Sequence, residues 1–167
     1  MLAFATPSFA PDFISLRPGE AVTILIDDGG GGTIAERRRA PAPAAFEKAA
    51  VRAYYDGFFK GVYGQNSKPF GTDDNFPEAA RVTPGRIRLT FRALKRGHRL
   101  LVVENGYARA LAYKAVMKVG KSWRTTDVCR VHPGVHNFEW WPEPVKTISV
   151  SRLQLVAWAE GQTPICE

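Results

Sequence analysis

The sequence RIRLTFRALKRGHRLLVVENGYARALAYKAVMKV, residues 86–119, decides the fold class of this chain. Its first residues alternate strictly: Ile87, Leu89 and Phe91 fall on one face, and arginine or threonine falls on the other. This period of two is typical of a strand with one buried face. After a short break the chain is apolar on both faces as far as Glu104, which indicates a strand that is covered on both sides. The stretch therefore predicts the centre of an antiparallel sheet.

The dipeptide Asn105-Gly106 is a strong hairpin signal within this stretch. Both central residues of a type I′ turn need φ > 0, and Asn and Gly tolerate that conformation best. A two-residue loop would place Glu104 opposite Tyr107. We therefore expect strand 99–104 to pair with a return strand over 107–119.

Segments with strand character recur on both sides of this stretch. They are residues 13–16, 21–26, 123–131, 145–150 and 153–158. About seven or eight strands with short turns indicate two packed sheets. We therefore expect a mainly β fold: an antiparallel two-sheet β-sandwich, Ig-like or jelly-roll-like, with one α-helical insertion.

Helical periodicity is confined to residues 44–62, where Phe46, Ala50 and Ala53 begin an apolar stripe and charged residues occupy the opposite face. The next residues, as far as position 83, have no periodicity, as is typical of a long loop.

The length of 167 residues suits one domain with its own core. We expect a single β-sandwich domain over 13–167, with the helix and loop as an insertion over 44–83. Residues 1–12 are expected to be a flexible N-terminus or a signal-peptide remnant, because Ser8-Phe9-Ala10 fits the small-x-small rule for cleavage.

The glycine run Gly29–Gly32 follows a strand, as phosphate-binding loops do. The third glycine of a dinucleotide fingerprint would fall on Ile34, however, and the chain has no Gly-Lys-Ser/Thr sequence. We expect a flexible connector here, with the basic cluster Arg37–Arg39 solvated on it.

The net charge indicates which partners to expect, and the cysteines indicate the cellular compartment. A net charge of +7 suits either an anionic partner or a solvated basic surface. Cys129 and Cys166 are expected to form a disulfide that ties the C-terminal tail to the sheet, in a periplasmic or secreted protein; a cytoplasmic location is the alternative. No apolar run reaches the roughly 18 residues of a membrane-spanning helix.

Aromatic residues form the first candidate site. They cluster after the helix and at a later corner, and aromatic side chains bury large areas at binding sites. The ligand-binding candidates are Tyr63, Phe70, Phe76, Trp140 and Trp141. The alternative is that these side chains fill the core under an insertion.

Basic residues form the second candidate site. Arg86, Arg88 and Arg92 share one face of a strand, with Lys95, Arg96, His98 and Arg99 at its end. They would bind phosphate or sulfate groups of an anionic polymer through charge-assisted hydrogen bonds. We do not expect nucleic acid as the partner, because aromatic residues do not interleave with this face. The alternative is a solvated outer face.

The third candidate is the pattern Cys129-x-x-His132-x-x-x-His136-x-x-Glu139. Imidazole and carboxylate are zinc ligands, so His132, His136 and Glu139 are the metal candidates. With Cys129 as nucleophile, the same residues would suit a small metal-dependent or cysteine/histidine hydrolase. The Pro133-Gly134 turn explains the segment equally well without a metal, and we expect no cofactor.

The segment from Cys129 to Leu155, with Val-Cys-x-Val-x-Pro-Gly and Glu139-x-Trp-Pro-x-Pro144, resembles small uncharacterised exported proteins of Gram-negative bacteria. The resemblance covers the C-terminal half. It implies a periplasmic β-rich domain and brings no known activity. No catalytic motif is evident in the chain, so we expect a binding or structural module whose partner is a protein, a glycan or a small molecule.

Overall fold

The computed structural model describes residues 13–56, 77, 80–159, 161–162 and 165–167. Within these residues the chain forms nine β-strands and one α-helix. In chain order they are β1 (Ile14–Leu16), β2 (Glu20–Ile26), β3 (Gly32–Arg39), α1 (Ala45–Tyr55), β4 (Ile87–Ala93), β5 (Arg99–Asn105), β6 (Ala110–Val119), β7 (Ser122–Thr126), β8 (His136–Trp141) and β9 (Val145–Val156). A short 3-10 turn, Lys95–Gly97, joins β4 to β5.

The strands form two antiparallel sheets. The four-stranded sheet has the order β1-β9-β6-β7, and the five-stranded sheet has the order β3-β2-β4-β5-β8. The predicted two-sheet β-sandwich with one helical insertion is confirmed. The predicted alternation in β4 is also confirmed, because Ile87, Leu89 and Phe91 are all fully buried between the sheets.

Helix α1 packs on the outer face of the five-stranded sheet and creates a second, smaller core. Phe46 and Ala50 of the helix lie against Leu100, Val102 and Phe138. The neighbouring β5 residues at 101 and 103 belong to the core between the sheets. Strand β5 is therefore apolar on both faces because the helix covers one face and the second sheet covers the other.

The predicted hairpin at Asn105-Gly106 is wrong. Strand β5 belongs to the five-stranded sheet and β6 to the four-stranded sheet, so the chain crosses between the sheets at this point. Neither residue adopts φ > 0. The tight hairpin lies at Gly120-Lys121 instead, where Val119 of β6 pairs with Ser122 of β7.

Asn105 stabilises the crossing through its side chain, which is fully buried. Its Nδ2 donates to the carbonyl oxygens of Arg109, Val131 and His132 at 2.9, 3.1 and 3.0 Å, and its Oδ1 accepts from the Tyr107 N–H at 3.0 Å. The asparagine therefore joins the crossing to the backbone of residues 131–132 and satisfies its own polar groups in the buried interior.

Strand β3 corrects a second expectation, because residues 32–39 are not a flexible connector. They pair along β2, from Gly32 opposite Ile26 to Arg39 opposite Glu20. Almost every residue of β3 is exposed, so the strand has no apolar alternation that would mark it in the sequence. Charged side chains on an edge strand also discourage pairing with other chains.

The end of the chain differs from expectation in detail. The segments 145–150 and 153–158 are one strand, β9, whose register shifts near Arg152, a residue with a φ of 53°. The segment 123–131 ends as a strand at Thr126. No helix in the described part of the chain is long and apolar enough to cross a membrane.

The predicted disulfide is present. The Sγ atoms of Cys129 and Cys166 are at the bonding distance of 1.98 Å. Backbone hydrogen bonds between Val128 and Glu167, and from Arg130 to Ile165, flank the bridge. The disulfide therefore holds the C-terminal residues against the body of the sandwich.

Candidate functional site

A cleft of about 480 Å³ lies between the C-terminal half of α1 and the connection from β4 to β5. Its apolar lining comes from Val51, Ala93 and Leu94. The charged lining comes from Arg52, Asp56, Lys95 and Arg96, and the Tyr55 ring completes the wall. Apolar walls with a few convergent polar groups are typical of small-molecule sites.

Stacked aromatic rings support the helix beside this cleft. Tyr54 stacks on Trp140 with ring centroids 4.3 Å apart and planes 6° apart. Tyr55 stacks on His98 at 5.5 Å, and Tyr54 meets the same imidazole edge-on at 5.8 Å. Such pairs contribute roughly 0.5–1.5 kcal/mol each beyond the area that they bury. The rings therefore fix α1 relative to β8 and the β4–β5 turn.

Tyr55 and Arg96 determine the chemistry of the cleft wall. The Tyr55 hydroxyl donates to the Lys95 carbonyl at 2.8 Å, and the Arg96 guanidinium carbon lies 5.9 Å from the centroid of the Tyr55 ring. Burial raises the pKa of the Tyr54 and Tyr55 hydroxyls. Both tyrosines are therefore neutral near pH 7, so the cations are not neutralised from this side.

Arg96 has an unusual backbone, with a φ of 56° inside the 3-10 turn. A left-handed conformation costs a residue with a Cβ roughly 1–2 kcal/mol. Gly97, which follows it, also has a positive φ of 78°. The turn therefore places a strained arginine at the rim of the cleft, and strain of this kind tends to collect at functional sites.

The two predicted aromatic ligand residues that the structure describes lie on opposite faces of β8. Trp140 faces α1, where it stacks on Tyr54, whereas Trp141 is 5% exposed and lies between the sheets. The Trp141 indole N–H donates to Thr126 Oγ1 at 2.8 Å. Successive residues of a strand point to opposite faces, so β8 cannot bring the two indoles together. Tyr63, Phe70 and Phe76 lie outside the described residues.

The predicted arginine face is largely engaged inside the protein. Arg92 is buried under α1, where its Nε and Nη2 donate to the Glu47 carboxylate at 2.6 and 3.2 Å, and its Nη1 donates to the Pro41 carbonyl at 2.8 Å. Arg92 is 8% exposed. This arginine therefore anchors the helix insertion to the sheet.

The other three arginines of that face are not one surface cluster. Arg88 pairs with Glu104 at 3.2 Å, and Arg99 donates to the carbonyl oxygens of Val145, Gly97 and His98, each at 2.9 Å. Arg86 is exposed at the start of β4. The Glu104 and Val145 partners come from other strands and the Gly97 and His98 partners from the adjacent turn, and the alternating pattern of β4 reveals none of them.

The three metal candidates also point in different directions. His136 faces α1, where its Nε2 lies 3.5 Å from Glu104 and its ring meets Phe46 edge-on at 4.8 Å. Glu139 lies on the opposite face of β8, between the sheets. His132 packs against Trp158 with ring centroids 3.6 Å apart, and burial lowers its pKa.

No three His, Cys, Asp or Glu side chains in the described ranges are grouped so that they could hold a metal ion. Cys129, the nucleophile of the hydrolase hypothesis, is engaged in the disulfide. The structure therefore brings together neither the predicted metal ligands nor a thiol and a histidine.

Glu139 instead forms a buried polar cluster next to the disulfide. Its Oε1 accepts from the Cys129 N–H at 2.8 Å and from Asn137 Nδ2 at 3.0 Å. The Tyr113 hydroxyl lies near this carboxyl and lowers its pKa, although the distance and angle are not those of a regular hydrogen bond. Burial outweighs these interactions and raises the Glu139 pKa from 4.5 to about 7.

Trp140 and Trp141, the two predicted ligand-binding residues that the structure describes, do not line the cleft. Tyr55 is not among the ligand-binding candidates that the sequence indicates, whereas Lys95 and Arg96 belong to the cations that it predicts for anion binding. A signal was present in the Lys95–His98 segment, where two cations precede a glycine that favours a turn. Its position beside the helix depends on contacts between segments about 40 residues apart.

Comparisons with known proteins leave the chain without a match. No family model, no curated protein and no solved structure matches it.

Proposed function

We propose that this protein is a binding module and that the cleft beside α1 binds an amphipathic organic anion. The observation that supports this most is the composition of the wall: Arg52, Lys95 and Arg96 oppose the single carboxylate Asp56, beside apolar residues and a tyrosine ring. A ligand with an apolar ring and a carboxylate, sulfonate or phosphate group would satisfy both parts of the wall.

The charges of this wall are available for a ligand. Arg52, Lys95 and Arg96 make no ion pair with any described residue. All three are exposed. A bound anion would therefore not have to displace a described carboxylate from these cations, and it would meet them in a partly apolar environment where the attraction is stronger than in bulk water.

The wall is also held in place before a ligand arrives. Stacking of Tyr55 on His98 and the hydrogen bond from its hydroxyl to Lys95 join the helix to the turn. The Glu47–Arg92 pair fixes the other end of the helix. A site whose walls are already ordered loses less conformational entropy on binding.

We also propose that the protein is exported to the periplasm or secreted. The disulfide between Cys129 and Cys166 supports this, because disulfides persist in oxidising compartments. Separate alkylation of the thiols before and after reduction, in protein taken directly from its native cell fraction, tests the pairing. Free thiols in native protein would contradict export.

The binding proposal is tested with 8-anilinonaphthalene-1-sulfonate, a fluorescent probe that carries an aromatic body and one negative charge. The variant Arg96→Gly removes a wall cation and also relieves the positive φ, so folding is not weakened. We expect probe affinity to fall about tenfold, which corresponds to about 1.4 kcal/mol.

The chain offers a matched control in Arg152→Gly. Arg152 is also an exposed arginine with a positive φ, at 53°, and it lies in β9 away from the cleft. The two variants therefore change net charge and backbone freedom alike. Equal probe affinity in Arg96→Gly and Arg152→Gly would refute the cleft as the binding site.

A second pair of variants tests the aromatic wall. Tyr55→Ala removes the ring and is expected to weaken probe binding, whereas Tyr55→Phe keeps the ring and loses only the hydrogen bond to Lys95. Melting temperatures of both variants show whether the helix is still packed. Wild-type affinity in a folded Tyr55→Ala protein would contradict a role for the ring.

A further inference from the structure

We infer that a second site, separate from the cleft, binds phosphate or sulfate groups at the β6–β7 hairpin. A cavity of about 520 Å³ opens there. Four cations line it: Arg17, Lys118, Lys121 and Lys146. Gly120 and Thr147 complete the lining, and none of the described residues that line it is acidic.

The sheet topology brings these cations together from distant parts of the chain. Lys118 of β6 lies directly opposite Thr147 of β9, and Lys146 precedes that threonine. Arg17 follows Leu16, whose partner across the sheet is Ile148. Lys121 stands at the tip of the hairpin, because the glycine before it has a φ of 60° and allows the tight turn. Three strands and a turn therefore converge on one cavity.

The charges at this cavity are not neutralised within the described chain. None of the four cations forms an ion pair with a described residue. Two acidic residues are close in sequence. Glu20 accepts from the Arg17 backbone N–H at 2.7 Å and pairs with Arg37, and Glu143 pairs with Arg124, so neither carboxylate pairs with the side chain of one of the four cations. Like charges around one cavity repel each other, so a bound anion would lower the free energy of the folded state.

Trp123 lies beside the cavity and adds an aromatic surface. It is 51% exposed, and it pairs with Lys118 across the hairpin. The Lys118 ammonium lies 5.8 Å from the Trp123 ring centroid, which holds the lysine in place by a cation–π contact. A phosphate or sulfate ester would therefore place its anionic group on the lysines and part of its body on the indole.

Two features distinguish this site from the arginine face that the sequence suggested. Arg92 and Arg99 donate to groups inside the protein, whereas the side chains of the four cations at the hairpin form no hydrogen bond or ion pair with a described residue. The hairpin belongs to the four-stranded sheet, and the cleft beside α1 lies on the five-stranded sheet. The inference does not depend on the cleft.

The test is a calorimetric titration of the full chain with pyrophosphate at low ionic strength. The triple variant Lys118→Gln, Lys121→Gln and Lys146→Gln removes three of the four charges at surface positions. We expect it to lower pyrophosphate affinity at least tenfold, and we expect wild-type affinity to fall steeply as salt is added. Pyrophosphate should also raise the melting temperature of the wild type but not of the variant.

The matched control is Lys114→Gln, which removes a cation from the same strand, where it pairs with Glu167. Arg152→Gly, which removes an exposed cation from β9 outside the lining of this cavity, serves as a second control. Pyrophosphate affinity should be unchanged in both. No binding by the wild type, or an equal loss per charge removed in Lys114→Gln and the triple variant, would overturn the inference.

A second arm distinguishes a lipid phosphate from a soluble one. Sedimentation with vesicles of phosphatidylglycerol and phosphatidylcholine is compared with vesicles of phosphatidylcholine alone. Cosedimentation only with the anionic vesicles, and its loss in the triple variant, would assign the site to a lipid head group. Pyrophosphate binding without cosedimentation would assign it to soluble phosphate or sulfate esters.

Discussion

Replacing Glu139 by Gln should change how the stability of the protein depends on pH. Glu139 is 3% exposed, and its carboxyl accepts hydrogen bonds from the Cys129 N–H and the Asn137 amide. Burial nevertheless raises its pKa from 4.5 to about 7. The folded protein therefore holds a proton on this carboxyl at pH values where the unfolded chain has already released it.

The change in unfolding free energy with pH follows from the difference in proton binding between the folded and the unfolded state. Below pH 4.5 Glu139 is protonated in both the folded and the unfolded state, so its titration does not change the free energy of unfolding. Between 4.5 and about 7 the folded state binds more protons than the unfolded state, so the free energy of unfolding falls as the pH rises. Each unit of pKa difference corresponds to about 1.36 kcal/mol, which gives a total loss of about 3 kcal/mol.

The assay is urea denaturation of the wild type and Glu139→Gln at several pH values from 4.5 to 8. Glutamine does not titrate. Replacing one acceptor oxygen of the Glu139 carboxylate by an amide nitrogen therefore shifts the free energy of unfolding by an amount that does not depend on pH. We expect Glu139→Gln to gain about 1–3 kcal/mol relative to the wild type over this range, and carbon NMR of the Glu139 carboxyl should show a midpoint near 7. A difference in unfolding free energy that does not vary with pH would refute the reasoning.

Three other predictions concern the contacts that hold the fold together. Arg92→Met and Glu47→Gln should each lower the free energy of unfolding by about 3–5 kcal/mol, because either variant leaves a buried charge unpaired. The double variant should lose much less than the sum of the two. Additive losses in a urea double-mutant cycle would contradict a direct coupling. Gly106→Ala should lower it by about 1–3 kcal/mol or more, because a Cβ there would meet facing backbone that cannot move aside; an unchanged denaturation midpoint would contradict that packing. Replacement of both Cys129 and Cys166 by serine should cost about 3–4 kcal/mol, because the bridge closes a sequence separation of 37 residues, and calorimetric melting at matched pH measures this loss; a melting temperature equal to that of the wild type would show that the bridge adds no stability.

The alternation in β4 was predictable because burial of one sheet face imposes a period of two on any sequence. The apolar run of β5 was predictable for the same reason, since both faces are covered. Strand β3 was not predictable from pattern, because an exposed edge strand has no buried face to leave an alternating pattern. Its existence depends on the unpaired edge of β2, which local sequence does not show.

The candidate site was predictable only in its residue types. Aromatic residues indicated a ligand groove, but neither Trp140 nor Trp141 lines the cleft, and two of its three cations come from the β4–β5 turn. Most of the arginines predicted to bind anions bind groups of the protein itself instead. Arg92 finds Glu47, 45 residues away, and a strand pattern reports the face of a side chain but not its partner.

The sequence alone determined that the chain folds as antiparallel strands around a core, with one helix, because alternation and helical periodicity are local consequences of burial. Only the tertiary structure decided which strands are neighbours. Asn105-Gly106 favours a hairpin by local chemistry, but it forms a crossing between sheets, where the Asn105 side chain donates to the Arg109 carbonyl and to two carbonyls of the distant segment 131–132. The cations at the β6–β7 hairpin also come together only in the tertiary structure, because pairing between β6 and β9 places residues nearly 30 positions apart in the sequence side by side.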